Sequence, residues 1–358
     1  MRNKGRLLLL FIVTCICNAC AQPGITITNR NPLLNYMGRT RQTDSATLIY
    51  WPGTSVSFSF TGSTVSVQLK DQKGTNCFYI IVDGEIQQKL RPDTTKQMYT
   101  LASGLKKALH TVQLFKLTEE SAGQTWLYGF YTDGKVVASA PLKNRIQFYG
   151  NSITAGYSVD DTVGDSGSPD FFNNYYTYAA ITARRFNAAY TNISKSGIGV
   201  LVSWFPVIMP ELYDRIDPLD SVHKYDYTGD NTDVVVIDLF QNDSWLVKHP
   251  EHAQFKARFG TTPPSDQQIT DAYKRFIQTL RIKHPQATII CTLGSMDATK
   301  EGSPWPGYIQ HAVNEMHDEK ALTFFFPYKR SPGHPKRKEQ QAMADMLIRF
   351  ISDHKLLG

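Results

Sequence analysis

The sequence predicts two tandem domains, an all-β sandwich or jelly roll followed by an α/β domain on a parallel sheet. Three observations carry this. Between residues 25 and 140, short alternating or β-branched runs recur with turn signals between them. From residue 145, continuous apolar runs alternate with helix-length amphipathic segments. The chain has 358 residues, 41% of them hydrophobic, with 19 Phe, 18 Tyr and 5 Trp. That is long for one domain and too apolar and aromatic for a disordered chain. No Gly-X-Y repeat, heptad run or low-complexity tract is present, which excludes collagen, coiled coil and solenoid.

Residues 1–21 read as an export signal. Arg2, Lys4 and Arg6 form a basic start, and residues 7–16 are apolar but too few to span a bilayer. Two cleavage readings stand. Ala19-Cys20-Ala21 is a small-x-small site that gives a mature start at Gln22, whereas Asn18-Ala19-Cys20 resembles a loose lipoprotein box with Cys20 lipidated. The expected location is the periplasm, the outer membrane as a lipoprotein, or the extracellular space. A lipid on Cys20 would be the sole membrane attachment. Removing the signal's three basic residues lowers the formal charge from +6 to +3. Lys and Arg are scattered rather than banded, so no nucleic-acid partner is expected. Cys77 and Cys291 lie in separate apolar runs and read as buried thiols. No CxxC or zinc-type Cys/His spacing exists, so no zinc site is expected.

In the β region (25–140), the strand-like runs are 46–51, 55–60, 64–69, 77–82, 85–90, 111–116 and 127–132. Turn signals separate them: Trp51-Pro52-Gly53, Thr61-Gly62-Ser63, Asp83-Gly84 and Asp133-Gly134. Asp-Gly between apolar runs favours a two-residue hairpin turn, because both central residues of a type I′ turn need positive φ.

The α/β region (145–358) opens with a strand at 145–149. Aromatic and aliphatic spacing over 171–189 predicts a helix, and a strand follows at 189–193. Residues 233–239 (DVVVIDL) form a continuous apolar strand. Ser265 with Gln268 three residues later is a capping box that opens a helix to about His284. Further strands at 287–293 and 322–326 precede a closing helix at 336–354. Ligands in such sheets bind beyond the carboxyl ends of the strands, which directs attention to the residues after Tyr149, Leu239 and Phe326.

Those strand ends carry a coherent set of groups. Ser152 follows the first strand in Gly150-Asn151-Ser152-Ile153-Thr154, where its N–H would face a developing oxyanion at a helix start. A serine there also serves as an ordinary helix cap. Gly197, in Ser196-Gly197-Ile198-Gly199, can offer a backbone N–H unobstructed by a side chain. Asn242 can donate from its amide into the same crevice. His334, before the last helix, supplies the base that a serine nucleophile needs.

In that order, these segments resemble the conserved blocks of SGNH/GDSL hydrolases. Upstream, Tyr36-Met37-Gly38-Arg39, Trp51-Pro52-Gly53-Thr54, Val82-Asp83-Gly84, His110-Thr111-Val112 and Thr118-Glu119 resemble the N-terminal jelly roll of carbohydrate esterase family 2. The resemblance implies a flavodoxin-like α/β/α catalytic domain and removal of O-acetyl groups from polysaccharide sugars. It implies Ser152 as nucleophile and His334 as base. It implies an oxyanion hole from the N–H groups of Ser152 and Gly197 with the Asn242 amide. The expected partner is an acetylated carbohydrate, and the resemblance implies ester hydrolysis with no metal or organic cofactor.

Three positions depart from the pattern. Asn151 stands where Asp is usual before the nucleophile. Phe240 and Gln241 replace the Gly and Thr of the Gly-Thr-Asn-Asp block. Ser331 replaces the Asp three residues before the His, so the expected orienter of His334 is Ser331 or the Pro332 carbonyl. These departures motivate a competing expectation, a carbohydrate-binding homologue with impaired catalysis. An esterase for another acyl-sugar is a third. Trp245, Phe240, Gln241 and Trp305 are candidate sugar contacts, with Trp204 a weaker one. The acidic residues Asp160, Asp161, Asp165 and Asp170 read as a solvated loop rather than a Ca²⁺ site.

Overall fold

The computed structural model describes residues 24–358. The segment expected to be an export signal, with Cys20, lies outside the described residues.

Two antiparallel six-stranded sheets form the first domain. One contains Thr125–Thr132 between Thr47–Ile49 and Val65–Asp71, and the other contains Ala108–Lys116 between Ser55–Gly62 and Phe78–Val82. Alternation explains the sandwich. Val65, Val67 and Leu69 are buried, while Ser66, Gln68 and Lys70 between them are half-exposed. The inward residues meet Phe58, Phe60, Ile80, Leu114 and Phe130 in one core.

The Asp83-Gly84 turn has positive φ at both residues and joins Val82 directly to Glu85. Asp133-Gly134 is different. Asp133 Oδ1 accepts the N–H groups of Ser63 and Thr64 (2.8 and 2.9 Å), and a Cβ on Gly134 would lie 1.2 Å from the Thr61 carbonyl oxygen. Close backbone approach, not turn conformation, requires that glycine.

The strand Phe78–Val82 is buried throughout. Phe78, Ile80 and Val82 face the sandwich core, whereas Tyr79 and Ile81, with Cys77 just before the strand, join the second domain's core beside Phe148 and Tyr178. Cys77 and Cys291 are buried free thiols.

The second domain holds a five-stranded parallel sheet ordered Ala188–Ser194, Asn144–Gly150, Val234–Asp238, Thr288–Leu293 and Ala321–Phe325. The first strand in the chain thus lies between the second and third, the flavodoxin-like order, and their carboxyl ends form the crevice of the switch point. Tyr178–Arg185 packs with Arg337–Asp353 on one face, and Asp266–Lys283 with Trp305–Asn314 on the other. The capping box at Ser265 and Gln268 forms.

The helix expected over 171–189 is shorter, Tyr178–Arg185. Two 3₁₀ turns, Pro169–Phe171 and Asn174–Tyr176, precede it. Asn173 and Asn174 break the periodicity. The Asn173 amide donates to Tyr79 Oη, and the Asn174 amide donates to the carbonyls of Thr154 and Ala155. Thr177 then caps a new helix.

Candidate active site

Ser152 opens a single helical turn, Ser152–Ala155, directly after the strand Asn144–Gly150. Asn151 is its N-cap and accepts the Ile153 N–H at 2.9 Å. The amide therefore fills the capping role open to a carboxylate at this position. Gly150 is forced by space, since a Cβ there would lie 2.1 Å from Thr154 Oγ1.

Ser152 Oγ lies 2.7 Å from His334 Nε2. On the other side of the ring, Asp165 Oδ2 lies 2.6 Å from Nδ1 and also accepts the His334 N–H at 3.2 Å. A carboxylate therefore orients the imidazole. The expectation of Ser331 or the Pro332 carbonyl is overturned. Ser331 Oγ bonds Glu339 and accepts from Lys329 Nζ, and the Pro332 carbonyl also accepts from Lys329. The acidic loop is solvent-exposed over 162–166, as expected, but it also delivers Asp165 to the imidazole. Asp161 accepts the N–H groups of Val163, Gly164 and Ser166 and folds the loop, and Asp165 projects from it. Lys336 locks the arrangement by donating to Asp165 Oδ1 and to the carbonyls of Ser158 and Gly164. Partial burial alone would raise the Asp165 pKa, but His334 and Lys336 outweigh it and hold the group at about 2.

The loop carrying Gly197 crosses the same crevice. Lys195 N–H donates to the Gly150 carbonyl, and Gly197 has φ +85°, the left-handed region. Neither the Ser152 N–H nor the Gly197 N–H donates to another described residue. The Asn242 amide donates one proton to the Ile198 carbonyl at 2.8 Å, and its Oδ1 accepts the Trp204 indole N–H at 3.1 Å. These two bonds fix the amide, so its second N–H is the remaining donor. Asp243, fully buried, accepts the N–H groups of Val200, Leu201 and Val202 and holds the next stretch of loop. Burial pushes its carboxyl up to about 6.

Three expected sugar contacts are instead structural. Phe240 is wholly buried, with its ring against Tyr273 and Trp305. Trp305 is itself core. Gln241 is buried and bridges Asp297 and the Ala298 N–H. Phe240 has φ +86°, which explains why glycine is the usual residue there. Trp245 is half-buried, with its indole N–H on Asp297. Trp204, 46% exposed and bonded to Asn242, is an open aromatic surface beside the Asn242 amide. Among the described residues, no cluster of three His, Cys, Asp or Glu side chains forms a metal cage.

Comparison with known proteins agrees with this architecture. Residues 36–141 match the carbohydrate esterase 2 N-terminal family, and residues 148–347 match the GDSL-like lipase/acylhydrolase family. A family two carbohydrate esterase from Clostridium thermocellum, solved in complex with cellohexaose, is 31% identical with a TM-score of 0.79. That match covers 90% of this chain and 99% of the other. The chain belongs to carbohydrate esterase family 2. Among curated relatives, the cellulase/esterase CelE of Acetivibrio thermocellus is 31% identical to this family 2 chain over 349 residues, which is 93% of this chain. The chain spans only 41% of CelE. An acetylxylan esterase / glucomannan deacetylase of Cellvibrio japonicus is 24% identical over 342 residues, covering 92% of this family 2 chain and 91% of the relative.

Proposed function

We propose that the protein is an exported serine esterase that removes O-acetyl groups from polysaccharide or oligosaccharide sugars through an acyl-enzyme. The observation that carries this is the continuous line Ser152–His334–Asp165, with spacings of 2.7 and 2.6 Å. His334 Nε2 takes the Ser152 proton as Oγ attacks the acetyl carbonyl. The oxyanion accepts from the N–H groups of Ser152 and Gly197 and from the Asn242 amide. Collapse breaks the bond to the sugar oxygen, which takes the proton from His334. Water then loses a proton to His334 and attacks the acyl carbon, acetate leaves, and Ser152 recovers its proton. Asp165 holds the Nδ1–H tautomer and offsets the charge on the imidazolium.

The names of the Cellvibrio relative and the sugar-bound Clostridium structure support an acetylated plant polysaccharide as substrate. The basic and apolar pattern of residues 1–21 supports export. Hydrolysis of 4-nitrophenyl acetate and acetylated xylan by wild type and Ser152→Ala tests the reading. Loss of at least ~10³-fold in the variant is expected, and equal rates would refute it.

A further inference from the structure

We propose that Glu119, a residue of the jelly roll, is a positioning residue for the oxyanion hole: its carboxylate holds the loop that presents the Gly197 N–H to the acyl group on Ser152. The proposal rests on the reading of Ser152 as nucleophile given above.

Glu119 Oε2 accepts the Ser196 N–H at 2.9 Å, one residue before Gly197. The neighbouring Lys195 N–H donates to the carbonyl of Gly150, on the strand that delivers Ser152. The segment is thus held from below by the catalytic sheet and from the side by the other domain. Glu120 adds an ion pair to Lys195.

Glu119 is itself rigid. It is 4% exposed and its Oε1 accepts the Ser121 hydroxyl proton at 3.1 Å. The buried Lys116 ammonium donates to the carbonyls of Thr118 and Glu119. The turn is docked onto the second domain where the Asn174 N–H meets the Leu117 carbonyl. A buried carboxylate is costly unless hydrogen-bonded, and here a main-chain N–H of the catalytic domain accepts that role. Burial and the adjacent Glu120 also raise the pKa of Glu119 above the ordinary carboxylate range, so a neutral amide is a fair stand-in.

The test measures kcat and KM for 4-nitrophenyl acetate with wild type, Ser152→Ala, Glu119→Gln and Glu119→Met. Gln keeps an acceptor for the Ser196 N–H and Met fills similar volume without one. Misplacing a donor by about 1 Å can lower the rate ~10²-fold. Glu119→Met is therefore expected to lower kcat ~10–10²-fold with KM within about threefold, and Glu119→Gln to stay within about threefold of wild type. A wild-type kcat in Glu119→Met, or a rise in KM alone, overturns the proposal. So does a loss beyond about tenfold in Glu119→Gln, which decides the matter by itself if the Met variant does not fold. An unchanged rate in Ser152→Ala instead refutes the nucleophile assignment, whatever Glu119 does.

Discussion

Asp165 Oδ2 sits 2.6 Å from His334 Nδ1 although 169 positions separate the two residues. The contact is local in another sense. Asp165 lies on the loop that leaves the Ser152 helix, and Lys336, two residues after His334, binds that loop through three oxygen atoms. Gly333, with φ +68°, lets the chain pass Asp165 closely, since a Cβ would sit 3.2 Å from its carboxyl carbon.

Asp165→Asn should lower kcat by ~10²–10⁴ with KM nearly unchanged, because the amide presents the wrong tautomeric partner to Nδ1. With its pKa held at about 2, Asp165 stays ionised above pH 4, so it contributes no acid limb to the rate profile in that range. Steady-state kinetics with 4-nitrophenyl acetate between pH 4.5 and 8 would check both statements.

Gly197→Ala should reduce kcat by ~10-fold or more while the protein still folds. The new methyl would meet Phe205 and Trp204 at 3.2–3.3 Å, and φ +85° is strained for alanine by about 1–2 kcal/mol. Relief of either would turn the donor N–H away. Circular dichroism beside the kinetics separates this outcome from unfolding.

Asp238 lies under the Ser152 helix at the end of the central strand, wholly buried, with one carboxyl oxygen lacking a partner among the described residues. Burial raises its pKa to about 6. A raised carboxylate pKa means the folded state binds a proton before the unfolded one. Its contribution to stability is therefore gained as pH falls from about 6 toward 4 and lost as pH rises again. Asp238→Asn has no proton to bind. The stability of that variant relative to wild type should be about 1 kcal/mol more favourable at pH 7 than at pH 5. Thermal or urea unfolding at the two pH values reads the difference.

Phe240→Gly should destabilise the protein by about 1–4 kcal/mol despite restoring the residue expected from family resemblance. Releasing the positive-φ strain returns about 1–2 kcal/mol, while emptying a fully buried aromatic site costs about 3–5 kcal/mol. The cavity wins because Tyr273 and Trp305 both pack on that ring. Urea denaturation measures the balance.

Ser152, Gly197, Asn242 and His334 are legible in the sequence because chain order in a parallel sheet sets them beyond strand ends. Asp165 was hidden because its position depends on a loop fold that local patterning does not encode. Its available signals were the flanking Gly164 and Gly167 and the basic Lys336 beyond the His. Phe240 is illegible for a related reason. Composition cannot tell an aromatic on a crevice wall from one turned into the core by a left-handed backbone. The helix expected from 171 failed where Asn173 and Asn174 bonded to distant groups rather than to their own turn.

Arg39 reaches from the jelly roll into the second domain, where its buried guanidinium donates to the carbonyls of Tyr213 and Arg215 and to the hydroxyls of Tyr149 and Tyr227. Trp51 does likewise, with its indole N–H on the Ile216 carbonyl. Severing the chain near residue 142 would strand those acceptors and lay bare a wall of tyrosines. The two halves are thus poor candidates for modular exchange. A gene fragment encoding only the hydrolase half would yield an aggregation-prone polypeptide, and recombination that swapped the jelly roll would have to carry Arg39, Trp51 and their receptors together.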